Sequence, residues 1–119
     1  MTAPGLNLSG GGLQLAELFS WEASGGPVAL TPEAVRRMEQ SVGTVRRVVS
    51  SGETSYGINT GFGAFANRQI SAEQAEQLQY NLVRSHTCGV GPALPDTLVR
   101  RIMLLKANSL AVGCSGIRP

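Results

Sequence analysis

Apolar positions recur along this chain at helical spacing in three separate stretches. Val35, Met38, Val42, Val45 and Val49 follow one another at steps of 3, 4, 3 and 4, which lays one apolar stripe along a helix reaching Ser50-Ser51-Gly52. Its start is marked by Thr31 as a capping residue, Pro32 at the first helical position and Glu33 in the first turn. Ser71-Ala72-Glu73-Gln74 has the form of a capping box, and Ala75, Leu78, Leu82 and His86 continue at steps of 3, 4 and 4 until Gly89 or Gly91. Pro95-Asp96 opens a third helix, in which Leu98, Ile102, Leu105, Ser109 and Val112 keep a 4, 3, 4, 3 spacing until Gly113.

The pattern before Thr31 is different. Leu6-Asn7-Leu8 and Leu13-Gln14-Leu15 are apolar-polar-apolar triplets on either side of Ser9-Gly10-Gly11-Gly12, which predicts a short hairpin or two stubby strands. A brief helix over Ala16 to Ser20 follows, then a Gly- and Pro-rich loop from Glu22 to Pro27, then a strand stub at Val28-Ala29-Leu30. Between the first two long helices, Ser55 to Phe65 carries Gly57, Gly61 and Gly63 within seven residues and has no periodicity, so it reads as a loop. The expected fold class is mainly α: three amphipathic helices with a short N-terminal β-hairpin. Residues 1–119 form one segment, with short strands and loop over 1–30 and helices over 31–119 around a Gly-rich loop at 55–65.

Composition narrows this further. A chain of 119 residues that is 42% hydrophobic and 15% charged is neither disordered nor collagen-like, and it buries enough surface for one modest core, which excludes a complete two-domain enzyme. With only 5% aromatic residues the core is built from Leu, Val, Ile and Ala, which favours helices over a sandwich or barrel. A net charge of +2 gives no field that argues for nucleic acid or an anionic membrane. The Arg pairs at 36–37 and 46–47 fall mostly off the stripe. A solvated helix face is a stronger reading of them than phosphate clamps, and no aromatics are interleaved with them for base stacking. Every apolar run is interrupted well short of the roughly 18 residues of a membrane span. The opening residues Met1 to Gly5 lack the basic region and apolar run of a signal peptide, and Cys88 and Cys114 show no C-x-x-C or zinc-finger spacing. The expectation is a soluble cytoplasmic protein with two free thiols.

Candidate chemistry concentrates in the second half. The order G-x-x-x-G-x-G is not that of a dinucleotide fingerprint and no Gly-Lys-Ser/Thr follows, so a turn-forming loop is the stronger reading than a phosphate cradle. Even so, Tyr56, Asn59 and Thr60 place a phenol, an amide and a hydroxyl on backbone that glycine frees to approach a ligand. His86 is the sole histidine. Spacing alone favours a hydrogen-bonded core residue there, and no second His or carboxylate cluster completes a metal site or a Ser-His-Asp arrangement, so no metal is expected.

Three blocks together carry a more specific signal: Tyr56-Gly57-Ile58-Asn59-Thr60-Gly61-Phe62-Gly63, then Leu82-Val83-Arg84-Ser85-His86-Thr87-Cys88-Gly89-Val90-Gly91, then Leu98-Val99-Arg100 through Lys106-Ala107-Asn108-Ser109-Leu110 to Ser115-Gly116-Ile117-Arg118. In these blocks the chain resembles the histidine ammonia-lyases of the aromatic amino acid ammonia-lyase and aminomutase family, closely over about 54–118 and loosely at the Leu-x-Leu hairpin near the start. Ile58-Asn59 and especially Ser85-His86 look like the histidine branch, since phenylalanine and tyrosine enzymes tend to carry Phe-Leu or His-Leu at the latter pair.

The resemblance implies a multihelical fold, a homotetramer, and elimination of ammonia from L-histidine to give trans-urocanate with the help of a methylidene-imidazolone electrophile cyclised from the enzyme's own Ala-Ser-Gly. By the same resemblance Tyr56 is the catalytic base, His86 and Asn59 are substrate-binding, and Thr60, Gly61 and Gly63 shape the inner loop. Free tyrosine has a pKa of about 10, so such a site would have to stabilise the phenolate through hydrogen-bond donors or helix dipoles. The family's Ala-Ser-Gly lies downstream of the block ending at Arg118. Ala23-Ser24-Gly25 here precedes the first long helix, is flanked by Glu22 and Gly26-Pro27, and reads as a coincidence. The expectation is therefore the N-terminal portion of an ammonia-lyase, a fragment without the electrophile's precursor and inactive alone, whose partners are L-histidine, the remainder of the polypeptide and further copies in a homo-oligomer. The alternative is a non-catalytic helical interaction module or a relic of such an enzyme.

Overall fold

The first β-strand does not turn back on itself. In the computed structural model, which describes residues 4–61, 63 and 70–119, β1 (Leu6–Leu8) pairs in parallel with β2 (Val28–Leu30), in the register Leu6↔Val28, Asn7↔Ala29 and Leu8↔Leu30. Parallel strands require a crossover, and helix α1 (Leu15–Ser24) provides it. Three further helices follow, α2 (Pro32–Ser51), α3 (Ala72–His86) and α4 (Asp96–Leu110). The mainly α class holds, while the expected hairpin is corrected to a parallel pair and the brief helix after it extends to Ser24.

The correction has local and distant causes. Leu13-Gln14-Leu15 is the approach to a helix: the Gln14 N–H donates to the Glu17 carboxylate at 2.8 Å, as one half of a capping box does. Gly10, at φ 86°, does not close a turn but runs against the end of α4, where a Cβ would lie 2.5 Å from the Val112 nitrogen. Leu6 and Leu8 share the buried face of β1 and pack with Leu18, Trp21 and Leu104. A strand pairing with residues 13–15 would forgo that cluster. Trp21 completes its burial by donating its indole N–H to the Gly26 carbonyl at 2.8 Å.

Helix α2 starts as its sequence predicts, with the Thr31 hydroxyl accepting from the Ala34 N–H at 3.2 Å. Ala34 and Met38 are buried against Ala111, with Leu30 packed on this cluster as on the first. Arg37 is exposed, as the solvated-face reading expects, and its guanidinium also donates to the carbonyls of Ser9, Ala111 and Val112. It thereby satisfies carbonyls at the end of α4 that the helix itself leaves unpaired. Helix α4 also presents a different face from the expected stripe. Leu104 and Ala111 are buried and Arg101 and Asn108 half-buried, whereas Leu98, Ile102, Leu105 and Val112 are exposed. A helix that is apolar on more than one side leaves the choice of buried face to its neighbours.

The chain divides into two compact units, one made of Met1–Thr44 with Leu94–Pro119 and the other of Val45–Ala93. No helix among the described residues is long and apolar enough to cross a membrane.

Candidate functional site

Every residue singled out for chemistry belongs to the Val45–Ala93 unit. Helix α2 stops at Ser51, and Gly52 follows at φ 73°. The chain then makes one helical turn, with the N–H groups of Ile58 and Asn59 both donating to the Ser55 carbonyl, at 3.1 and 3.2 Å. Asn59 holds this turn in place. Its Oδ1 accepts from the Ser55 N–H at 2.8 Å, its Nδ2 donates to the Glu53 carbonyl at 2.7 Å, and its own carbonyl accepts from the Ile70 N–H at 2.9 Å. The side chain is only 6% exposed, so an unbonded amide here would be costly, and both of its ends are bonded.

Thr60 is buried beside it. Its hydroxyl accepts from the Gly57 N–H at 3.3 Å and donates to the Gly61 carbonyl at 3.1 Å. Gly57 and Gly63 have φ of 79° and 56°, a region that side-chain-bearing residues rarely adopt, which is why glycine stands at both positions. Tyr56 sits at the outside of the turn and is 68% exposed. The loop thus gathers Asn59, Thr60 and Gly61 into one bonded knot, with Tyr56 on its rim. Phe62 and 64–69, the rest of the predicted loop, lie outside the described residues.

His86 is the last residue of α3 and is exposed, which corrects the core position that its place on the apolar stripe predicts: it is hydrogen-bonded, but at a helix end open to solvent. That helix begins where expected, although the Ser71 hydroxyl makes no capping bond; the Ser71 carbonyl accepts from the Gln74 N–H at 3.0 Å. Its other end is finished by the run Ser85-His86-Thr87-Cys88. The Ser85 hydroxyl donates to the Leu82 carbonyl at 2.9 Å, the Thr87 hydroxyl to the Val83 carbonyl at 2.7 Å, and the Cys88 thiol to the Ser85 carbonyl at 3.3 Å. His86 Nδ1 lies 2.8 Å from the Leu82 carbonyl oxygen. Residues with short polar side chains are suited to bonding nearby backbone in this way. Ser85 Oγ also meets the histidine ring, at 3.0 Å from Nδ1, a contact not predicted from the sequence; a serine directly before a histidine at a helix end is the available signal. An open groove of about 280 Å³ beside α3, lined by Ile70, Gln74, Gln77, Leu78 and Asn81, includes none of the predicted residues.

Ala23-Ser24-Gly25 does not suit the role of an electrophile's precursor. Ser24 ends α1, its hydroxyl donating to the Trp21 carbonyl at 3.1 Å, and Gly25 is a left-handed cap whose N–H donates to the same carbonyl at 2.9 Å. Cyclisation would need the Gly25 nitrogen to attack the Ala23 carbonyl, and the cap directs it elsewhere. Among the described residues no cluster of three or more His, Cys, Asp or Glu is placed to hold a metal ion.

Comparison with known proteins adds a family and a set of relatives. The model of the aromatic amino acid lyases matches residues 13–119. A histidine ammonia-lyase of Pseudomonas fluorescens (strain SBW25) is 44% identical over 118 residues, which is 99% of this chain and 23% of that protein. The crystal structure of histidine ammonia-lyase from Trypanosoma cruzi superposes with a TM-score of 0.87 at 34% identity, covering 97% of this chain and 22% of the other. An ergothioneine-degrading enzyme of Treponema denticola superposes equally well, with a TM-score of 0.88 at 29% identity over 97% of this chain and 23% of its own. The chain thus spans less than a quarter of the length of the relatives it matches.

Proposed function

Because the chain belongs to the aromatic amino acid lyase family, we propose that it supplies part of the catalytic apparatus of a histidine ammonia-lyase, which eliminates ammonia from L-histidine to give trans-urocanate. The observation that supports this most is the 44% identity to a histidine ammonia-lyase across 99% of the chain. Fold alone would not choose the substrate, since an ergothioneine-degrading enzyme shares the same framework.

In this reading the Cβ–H and Cα–N bonds of histidine break, a Cα–Cβ double bond forms, and ammonia leaves. Tyr56, on the rim of the loop, takes the β-proton on its phenolate oxygen. Asn59, Thr60, Gly61 and Gly63 hold the loop that carries the tyrosine, Asn59 with amide capacity left for substrate beyond its two bonds to the loop. His86 binds the substrate's imidazole. The methylidene-imidazolone of the family supplies an electrophile that activates the amine as a leaving group; Ala23-Ser24-Gly25 is committed as a helix cap, so these 119 residues alone are expected to produce no steady urocanate. A homotetrameric assembly and a cytoplasmic location are corollaries of the same reading.

The test is a chimera in which this chain replaces the matching segment of the Pseudomonas fluorescens enzyme. Urocanate, followed by its ultraviolet absorbance, is the expected product. A chimera that folds and assembles yet leaves histidine untouched overturns the proposal. A second reading, a non-catalytic helical interaction module, draws on one observation, the exposed apolar residues Leu98, Val99, Ile102, Met103 and Leu105 of α4. It requires the isolated chain to sediment as a well-behaved monomer with a cooperative melt, whereas aggregation counts against it.

A further inference from the structure

His86 is exposed, yet two partners on one side of its ring bear on its tautomer. Nδ1 lies 2.8 Å from the Leu82 carbonyl oxygen, and a carbonyl oxygen only accepts hydrogen bonds. Ser85 Oγ lies 3.0 Å from the same nitrogen and 2.9 Å from the same carbonyl. One arrangement of protons satisfies all three contacts. The Ser85 hydroxyl donates to the Leu82 carbonyl, and the Nδ1–H is shared between that carbonyl and the Ser85 oxygen. In the opposite arrangement, with the serine donating to a bare Nδ1, two lone pairs would face each other across 2.8 Å.

We propose that Leu82 and Ser85 lock the neutral His86 ring in its Nδ1–H form, so that the outward nitrogen, Nε2, is an obligatory hydrogen-bond acceptor selecting a substrate ring that carries an N–H. This deepens the lyase reading and rests on it for the identity of the ligand. The consequence is directional. An imidazole offers an N–H to Nε2, whereas a phenyl ring offers no donor and would leave the acceptor unpaired, and a site built around a hydrogen bond discriminates strongly against an analogue lacking the partner. Ser85 is the positioning residue. It touches no substrate in this account and acts by holding the imidazole at a fixed rotation at the end of α3.

The single histidine makes the tautomer directly readable. In ¹⁵N NMR of the chain with the ring neutral, Nδ1 should appear in the protonated, pyrrole-like range and Nε2 in the pyridine-like range, the reverse of the preference of free histidine in water. Ser85→Ala removes one of the two acceptors and should lower the Nδ1–H to Nε2–H ratio about fivefold, the worth of one ordinary hydrogen bond. Ser85→Thr keeps the hydroxyl and should restore the native ratio, which a merely space-filling role for Ser85 would not require. A spectrum like that of free histidine in the native chain overturns the proposal, and a ratio unmoved by Ser85→Ala removes Ser85 from it. Neither result bears on whether the chimera makes urocanate, so failure of the tautomer and failure of the lyase reading are separately visible.

Discussion

The two units of this chain bury different kinds of side chain among their described residues. Among the described residues, every buried hydrophobic side chain, from Leu6 and Leu8 through Trp21 and Met38 to Leu104 and Ala111, lies in the unit made of Met1–Thr44 and Leu94–Pro119. Among the described residues of Val45–Ala93 the buried side chains are Asn59 and Thr60, both polar and both bonded to nearby backbone. The first unit is a scaffold stabilised by removing apolar surface from water, which is tolerant of orientation and roughly proportional to area. The described loop of the second is a hydrogen-bonded knot, which is directional and local. The predicted chemistry lies wholly in the second. Directional bonds specify where a tyrosine or a histidine points more sharply than apolar contact does, and functional groups commonly sit on such loops beside a rigid frame.

The sharpest separation of the two should come from Tyr56→Phe in the chimera. Losing a general base typically lowers the rate by about 10²–10⁴-fold, and because the side chain is largely exposed the melting temperature should stay unchanged. An active phenylalanine variant would remove the proposed base. Leu104→Ala acts in the opposite way. It empties a site that is 5% exposed in the scaffold core, and should lower unfolding free energy by about 2–5 kcal/mol in chemical denaturation. A cost near zero would mean that apolar burial is not what holds this unit.

Asn59→Ala should cost about 1–3 kcal/mol, because the Ser55 N–H and the Glu53 carbonyl each lose a partner. Hydrogen exchange should place the effect at Ser55 and its neighbours and leave protection in β1 and α4 as it was. Uniform loss across both units would show that the knot is no separate source of order. The smallest effect belongs to the scaffold's surface. The Arg101 guanidinium hydrogen-bonded to Glu22 holds that carboxyl below the usual carboxylate range. A depressed folded-state pKa contributes stability that is present above the usual range and lost as pH falls through the lowered value. Glu22→Gln should therefore melt slightly below the native chain at neutral pH and converge with it in acid. A gap that persists in acid would assign the effect to packing of Glu22 instead of its charge.

How much was legible beforehand differs between these regions for the same physical reason. The Thr31-Pro32 start, the stop before Gly52 and the starts at Ala72 and Asp96 depend on residues within a few positions of each other, and the structure places them where the sequence predicts. Asn59 and Thr60 were also recognisable, since their partners Glu53, Ser55, Gly57 and Gly61 are all close in the chain. The burial of Ala34 is not written in the valine stripe of α2, which runs through its half-buried neighbour Val35; the packing of Ala34 against Ala111 is set by a residue far along the chain. The bonds of Arg37 are not legible in the sequence because the carbonyls involved include those of Ala111 and Val112, more than seventy residues away.

By itself, then, the sequence determined the helices, the glycine positions of the loop and the family, because caps, left-handed turns and motif blocks are written in short windows. Only the tertiary structure decided the parallel pairing of Leu6–Leu8 with Val28–Leu30 and the face of α4 that is buried, because both turn on which surfaces meet across distant parts of the chain. The contact that sets the proton on His86 lies between the two: its partners Leu82 and Ser85 are within four residues of it, and the rotamer that brings them together is what residue types alone do not record.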